Sequence, residues 1–579
     1  MCGIVGIVSA NQVGSDLVLS LQRLEYRGYD SAGFCTIGSG PHLVKDVGYI
    51  SNVITKENQK TLQGTIGIGH TRWATTGKVT KENAHPHADC TNSIFIVHNG
   101  ILSNYEELKA KLVKQGHQFA SETDSEVIAH YIEEKIKTMP MQKAIEHFFA
   151  DAKGEFSVVV LKKDEHTLYA FKRDSPLVLG IGDGWSMVAS DVYAFSDKST
   201  EALYFDDNEY AMINDDSYAF FSASGNPVSK EIKHVEWRSE ELKGNFDHHM
   251  IKEIKEQPLV IERLLQSLAI DQHEKLLDFA ELIKNQKRVY LIGCGTSYFA
   301  SLLGSYVLSK LGVDARCAIA SEFENYGVDS DTLIIAMSQS GETMDTIKAC
   351  KYAQGKGATI VSIVNTPYST IQRMSILSLH TLAGHEVCVA ATKTFLTTVV
   401  ATLKIAEELG LRDQLNDLPQ LITNIFEQED IIKDLAHELK NERDIYVIGR
   451  NLMYPICREI ALKIKEIDYI HAEGMMGGEL KHGSLTLIEE GTPVIALIDN
   501  SPEIISNAKE VQARGGKIIA LTNRDERLFD REIRIPTHGT LLFSLLCAVV
   551  GQLLAYHIGK EKGLEIDKPR NIAKTCTTV

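Results

Sequence analysis

Cys2 heads an apolar, glycine-spaced run, MCGIVG. Cysteine is among the residue types most often buried, so a place in a strand core is the plain reading. Lipid attachment needs an apolar signal region upstream, and only Met1 precedes this cysteine. A third reading is chemical. With Met1 removed, Cys2 carries a thiol and a free α-amine, and an amine titrating near ~7.7–8.0 can act as base for its own thiol. Possible partners lie in HTRWAT (70–75), NAHPH (83–87), HNG (98–100) and SETDSE (121–126), all at strand ends or in loops. A free amino acid needs a cation for its carboxylate and an anion for its amine, a character Arg72 and Asp124 have. Thiol attack on an amide needs donors for the developing oxyanion, which the Asn99 amide and the Gly100 N–H can supply. Spacing alone does not gather these residues round one pocket.

A second set lies beyond residue 290. CGTSY (294–298) and SQSGET (338–343) each follow an apolar strand and precede a helical pattern. Free N–H groups at helix starts, with Ser and Thr hydroxyls, make an anion site beyond the carboxyl ends of parallel strands. The same residues also cap helices with no ligand present. In REIALKIKEIDYI (458–470), Ile456, Ile460, Ile464 and Ile467 form an apolar stripe, with Glu459, Lys463 and Glu466 on a neighbouring face. An ordinary solvated ion-pair ladder explains that spacing equally well. Glu479, Lys481 and His482 sit in the glycine-rich HAEGMMGGELKHGSL, where a histidine near acids could move protons. The C-terminal DKPRNIAK combines turn chemistry with an apolar anchor and ends on Lys574, an amine suited to a Schiff base.

The elements that must carry these residues divide in two. Residues 1 to about 220 show short strand-like runs broken by glycines, asparagines and helical patterns, which predicts an α+β domain with antiparallel sheets. SEELKGNFDHHMIKEIKEQP (239–258) reads as a linker entering a helix. From about 280, buried-strand runs alternate with helices, the signature of parallel α/β domains. This part is duplicated. VYLIGCG (289–295) matches IYVIGRN (445–451), and TLIIAMSQSGET onward (332–365) matches TPVIALIDNSPE onward (492–523). The hydroxyl-rich loops belong to the first copy only.

Composition bounds the rest. The 579 residues allow several domains, and the formal net charge of −17 argues against broad nucleic-acid or anionic-membrane binding. The ten cysteines include no C-x-x-C pair and read as free thiols in a reducing compartment, not a disulfide framework or zinc site. LLFSLLCAVVGQLLAY (541–556) carries Ser and Gln and is short for a bilayer, so it reads as a buried helix. With no signal peptide visible, the expected location is cytoplasmic.

MCGIVG, LQRLEYRGYDSAG, HTRWAT, NAHPH, VHNG and SETDSE resemble the class II (N-terminal-nucleophile) glutamine amidotransferase domain. The repeat with CGTS and SQSGET resembles paired sugar isomerase (SIS) domains. With GELKHG and DKPRNIAK, the whole chain resembles the glucosamine-6-phosphate synthase family. The first domain alone would suit other amidotransferases. The second half alone would suit a sugar-phosphate isomerase, or an SIS regulator, for which no DNA-binding helix-turn-helix is visible. The resemblance implies an α+β domain of stacked antiparallel sheets between helices over 2–218, and a linker with connecting helices over 219–278. SIS domains with parallel sheets follow over 279–416 and 435–569, and a tail over the sugar site spans 570–579.

It also implies residue roles. Cys2 is the nucleophile after Met1 removal, Asn99 and Gly100 the oxyanion hole, and Arg72, Thr75 and Asp124 the glutamine contacts. Some relatives have His where this chain has Thr76. Trp73 is the gate of an ammonia channel. Cys294, Gly295, Thr296, Ser297, Ser338, Gln339, Ser340, Thr343, Val389 and Ala573 surround sugar phosphate. Glu466 is the base moving a proton between C1 and C2, supported by Glu459, Lys463 and Arg450. Lys574 forms the Schiff base, and His482 opens the sugar ring from the partner subunit of a homodimer. Substrates are L-glutamine and fructose 6-phosphate, with no cofactor, metal, nucleic acid or membrane.

Overall fold

A computed structural model describes residues 2–235, 243–412, 415–537 and 539–575. Met1, part of the expected linker (236–242) and Cys576 lie outside the described residues. The chain forms two compact units, Met1–Glu240 with Thr575–Val579, and Glu241–Lys574.

The first unit holds an eight-stranded and a seven-stranded sheet. In the first, Gly3–Ser9 lies between Trp185–Ala189 and Ile66–Arg72, antiparallel to both. In the second, Ile94–Leu102 pairs antiparallel with Gly154–Lys162. The inner faces meet through Ile4, Val8 and Ile68 from one sheet and Phe95, Val97 and Val159 from the other. Leu17 and Leu21 of the Gly14–Arg23 helix lie over Gly67 and Gly69 on the outer face of the first sheet. Val127, Ile132 and Phe148, from two helices, pack beneath Ile96 and Val158 of the second. A strand covered on both faces has no polar side to show. Gly3–Ser9 is therefore buried at every position and lacks the alternation of a half-exposed strand.

The second unit contains two five-stranded sheets whose neighbouring strands all run parallel. Arg288–Gly293 has Ala315–Ile319 on one side and Thr332–Ser338 on the other, with Thr359–Val364 and Leu377–His380 beyond. Asp444–Gly449 has His471–Met476 on one side and Pro493–Ile498 on the other, with Lys517–Thr522 and Arg531–Arg534 beyond. The strand orders are identical, as the internal repeat requires. In each sheet the chain reverses its direction of travel beside the first strand of the copy, and the crevice so formed is where ligands bind parallel sheets.

One continuous core runs through both copies. The 22-residue helix Thr540–Glu561 crosses it, packing on Met453–Asp468 and Glu429–Leu439. Close approach depends on missing side chains. A Cβ on Gly551 would lie 2.4 Å from Ile460, and one on Gly559 would lie 2.7 Å from Ile467. This helix is long and apolar enough for a bilayer, but its apolar window is wholly buried inside the protein.

Candidate active sites

Gly3 opens the central strand in register with Thr71, and its N–H donates to Thr71 Oγ1 at 3.1 Å. Cys2 therefore lies against the residues after Thr71. The Trp73 N–H donates to Cys2 Sγ at 3.2 Å. Asn99 Nδ2 donates to the Cys2 carbonyl at 2.9 Å, and His70 Nε2 lies 3.1 Å from Asn99 Oδ1 and from the His98 carbonyl. Both partners of that nitrogen are acceptors, so it carries the proton and turns the Asn99 amide nitrogen toward Cys2. Gly100 has φ +128°, and a Cβ there would lie 2.0 Å from the Glu155 carbonyl oxygen, so only glycine fits.

Arg72, Thr75, Thr76, Asn99, Gly100 and Asp124 line one cleft with Cys2 and Trp73. The Arg72 guanidinium donates to the carbonyls of Thr76, Gly77 and Lys78, fixing the loop that carries Thr75 and Thr76. Asp124 Oδ2 accepts the Leu102 N–H at 2.9 Å. Burial pushes the Cys2 thiol up from its ordinary range, against the Trp73 N–H and the Arg72 guanidinium, which pull it down. The thiol is therefore protonated until a base takes its proton.

Histidines without an expected role complete the cleft. His85 and His98 line it, and the His70 ring lies tilted against His85, with centroids 4.0 Å apart. Burial holds all three below the ordinary histidine range, His70 down to about 3, so they are neutral. HTRWAT, NAHPH and HNG each contribute one. Three histidine-bearing strand ends were the available signal, but only the sheet register brings them together.

In the second unit, CGTS and SQSGET follow the adjacent strands Arg288–Gly293 and Thr332–Ser338 and open the helices Thr296–Lys310 and Met344–Gly355. Cys294, Gly295, Thr296 and Ser297 thus share the crevice edge with Ser338, Gln339, Ser340 and Thr343. Ser338 Oγ accepts the Gly341 N–H at 2.9 Å and lies 3.4 Å from Thr343 Oγ1, while Ser340 Oγ accepts the Glu342 N–H at 3.1 Å.

The charged face of Met453–Asp468 reaches this edge. Lys463 Nζ donates to Thr296 Oγ1 at 3.1 Å and to Glu466 Oε2 at 2.5 Å, and Thr296 Oγ1 donates to Glu459 Oε1 at 3.3 Å. Glu459 and Lys463 are 1% exposed, so the solvated-ladder alternative fails. Glu466 is 21% exposed and is the accessible end of the array. Burial raises the Glu459 carboxyl to about 7, against Lys463; the two flanking carboxylates, outweighing burial, hold Lys463 as a firm ammonium.

Lys574 is buried and ion-paired with Glu386. Glu386 also accepts the N–H groups of Thr392 and Thr394 at the start of the Lys393–Glu408 helix. Burial works to raise the Glu386 carboxyl, but Lys574 and these donors outweigh it and hold it at about 2. Burial and the Glu386 charge push neighbouring Glu253 up to about 8. The tail before Lys574 is anchored: Asp567 accepts from the His249 and Met250 N–H groups, and its carbonyl accepts the Val389 N–H. Ala573 is half-buried beside Lys574. His482 lies exposed at the end of a short 3₁₀ turn, Glu479–His482. Arg450 lines another cleft, with Tyr454 and Glu479.

Comparison with known proteins matches residues 282–407 and 438–557 to the SIS domain family and 70–197 to a glutamine amidotransferase domain family. The chain is 41% identical over 601 residues to a glutamine–fructose-6-phosphate aminotransferase (isomerizing) of Pyrococcus horikoshii, covering 100% of both chains. It is 40% identical to that of Thermococcus kodakarensis, again over 100% of both. A solved C-terminal domain of glucosamine-fructose-6-phosphate aminotransferase from Francisella tularensis matches with TM-score 0.52 and 33% identity, covering 56% of this chain and 99% of that one. A tagatose-6-phosphate ketose/aldose isomerase from Escherichia coli, at TM-score 0.50 and 17% identity over 55% of this chain and 95% of that one, shares the fold.

Proposed function

The chain belongs to the glutamine–fructose-6-phosphate aminotransferase (isomerizing) family, and from that premise we propose how its residues divide the reaction. The enzyme moves the amide nitrogen of L-glutamine to D-fructose 6-phosphate with isomerisation, giving D-glucosamine 6-phosphate and L-glutamate. That is the first step of amino-sugar biosynthesis.

Glutamine enters the Cys2 cleft, its carboxylate toward Arg72 and its amine toward Asp124, with Thr75 alongside. The α-amine of Cys2, free once Met1 is removed, takes the thiol proton, and the thiolate attacks the side-chain amide. Asn99 Nδ2 and the Gly100 N–H stabilise the tetrahedral oxyanion. Ammonia leaves past Trp73, the gate, and water releases glutamate. The observation that carries this half is the convergence of Cys2, Arg72, Asn99, Gly100 and Asp124 on one cleft, although they lie up to 122 residues apart in the sequence.

Fructose 6-phosphate binds at the crevice edge, its phosphate on the Ser338, Gln339, Ser340 and Thr343 loop with Ser297, beside Cys294, Gly295, Thr296, Val389 and Ala573. His482 opens the sugar ring from the partner subunit of a homodimer, a reading supported by its exposure. Lys574, released from Glu386, forms an imine with C2 as the carbonyl oxygen leaves as water, and the delivered ammonia then displaces the lysine amine from C2. Glu466 then carries a proton between C1 and C2, with Lys463 and Glu459 holding it and Arg450 in support. The enzyme works in the cytoplasm and binds neither membrane nor nucleic acid.

Incubation with amide-¹⁵N glutamine and fructose 6-phosphate tests the scheme. Glucosamine 6-phosphate carrying the label is expected, from protein whose intact mass lacks Met1. Full activity with Met1 retained refutes the role of the Cys2 amine.

A further inference from the structure

We propose that Cys90, His117, His130 and Glu133 form a structural zinc-class metal site in the amidotransferase domain. The absence of any C-x-x-C pair argued against zinc at the sequence level. These ligands instead come from separate elements: Cys90 follows the short strand His87–Ala88, His117 follows the Tyr105–Lys114 helix, and His130 and Glu133 lie at i, i+3 on the Glu126–Ile136 helix. One donor atom from each lies within 4.8 Å of all the others.

The spacing fits a tetrahedral ion. Zinc bonds of ~2.3 Å to sulfur and ~2.0–2.1 Å to nitrogen put the sulfur–nitrogen edge at about 3.6 Å and nitrogen–oxygen edges at about 3.3 Å. Cys90 Sγ lies 3.6 Å from His117 Nδ1 and 3.4 Å from His130 Nδ1. Glu133 Oε2 lies 2.9 and 3.2 Å from the same two nitrogens.

The donor and acceptor pattern around the two rings fits the same reading. His117 has a carboxylate oxygen at each ring nitrogen, Glu133 at Nδ1 and Glu134 at Nε2, 3.0 Å away. His130 has Glu133 at Nδ1 and Glu126 at Nε2, 3.5 Å away. Without a metal, a neutral ring must turn a lone pair on one carboxylate. Satisfying every contact takes two buried imidazolium ions with centroids 5.3 Å apart, sharing one carboxylate oxygen. With a divalent ion, both Nδ1 lone pairs face the metal, the His117 Nε2–H donates outward to Glu134, and the His130 Nε2–H faces Glu126 without a hydrogen bond. At His117 that is the usual carboxylate–histidine–metal arrangement. The Cys90 thiol gives its proton to solvent, and thiolate, carboxylate and two neutral imidazoles balance the double charge.

Four protein ligands close the site to substrate, so its role is structural. It ties together three segments beside the loop that carries Asp124. Glu126 accepts the Ala120 and Ser121 N–H groups of that loop at 2.8 and 2.7 Å. A cleft lined by Cys90, Gln118 and His130 gives the ion a way in.

The test uses the full-length enzyme, stripped with a chelator and titrated with Zn²⁺ against a chromophoric chelator. One Zn²⁺ per chain is expected. Co²⁺ in its place should give a sulfur-to-metal charge-transfer band with the visible bands of tetrahedral cobalt. Cys90 is exposed, so Cys90→Ser should fold, lose the charge-transfer band and bind Zn²⁺ at least ~10-fold more weakly. Glu134→Gln, one bond removed from the metal, should weaken binding by about 10–100-fold. Cys2→Ala should keep the full stoichiometry. Failure of the wild type to bind one Zn²⁺ per chain, retention of the cobalt–sulfur band in Cys90→Ser, or loss of the metal in Cys2→Ala would overturn the proposal.

Discussion

Cys2 and Lys574, the two proposed nucleophiles, sit in opposite surroundings. Around Cys2 the wall combines the charged Arg72 and Asp124 with neutral groups: histidines stripped of charge by burial, an asparagine amide and backbone N–H groups. Burial alone keeps the proton on sulfur, so this site needs a base. Around Lys574 the surroundings are ionic: its side chain is paired with the buried Glu386 carboxylate. That site needs its counterion drawn away, not a stronger base. A thiol is neutral when protonated and a lysine is charged, so low dielectric protects the first and a buried ion pair protects the second.

The comparison breaks most sharply at Cys2. Cys2→Ala should abolish glutamine-dependent synthesis while calorimetry still finds fructose 6-phosphate bound, within the ~1–3 kcal/mol that coupling between sites typically carries. A folded mutant that no longer binds the sugar would show that the two sites are not separable. Lys574→Arg should be as complete a loss from the other side. Arginine keeps the charge opposite Glu386 but cannot form an imine, so synthesis stops while basal glutamine hydrolysis continues. Normal synthesis by this mutant removes Lys574 from the chemistry.

A smaller effect sharpens the Cys2 half. Asn99→Ala should lower kcat for glutamine hydrolysis by about 10²–10³-fold with little change in KM, because the amide acts on charge that exists only in the transition state. A KM effect alone would make Asn99 a substrate contact instead.

The smallest effect is on stability. His70 titrates near 6.5 unfolded and about 3 folded, so below pH 6.5 the unfolded chain binds more protons. Its contribution is complete above 6.5 and is lost as pH falls toward 3, at up to about 1.4 kcal/mol per pH unit. The two tryptophans among the described residues, Trp73 and Trp185, belong to the first unit. Their fluorescence in urea titrations between pH 7.5 and 4.5 therefore reports that unit within the intact enzyme. His70→Asn should flatten the pH dependence, and an unchanged slope would show that the histidine cluster does not carry it.

The sequence made local features legible and hid those that depend on distant partners. The strand–loop–helix passages at CGTS and SQSGET, and the buried helix near the C-terminus, lie within windows of contiguous residues. Glu459, Lys463 and Glu466 did not resolve, because i, i+4 spacing is the same for a surface ladder and for a buried array. Packing against Thr296–Lys310 and Thr540–Glu561 decides between them. The meeting of His70, His85 and His98 hangs on sheet register, and that of Cys90 with His117 and His130 spans 27 and 40 residues.

The Thr540–Glu561 helix has a consequence for synthesis on the ribosome. It covers apolar faces of Glu429–Leu439 and Met453–Asp468, yet it is translated after both. At ~5–20 residues per second, those faces wait roughly 5–20 s before their cover emerges. During that interval the nascent chain displays a groove built to accept a long apolar helix, with Ile460 and Ile467 facing the places that Gly551 and Gly559 will fill. Holding that groove closed to other apolar segments is work for chaperones, and the second unit cannot complete its core before the helix arrives.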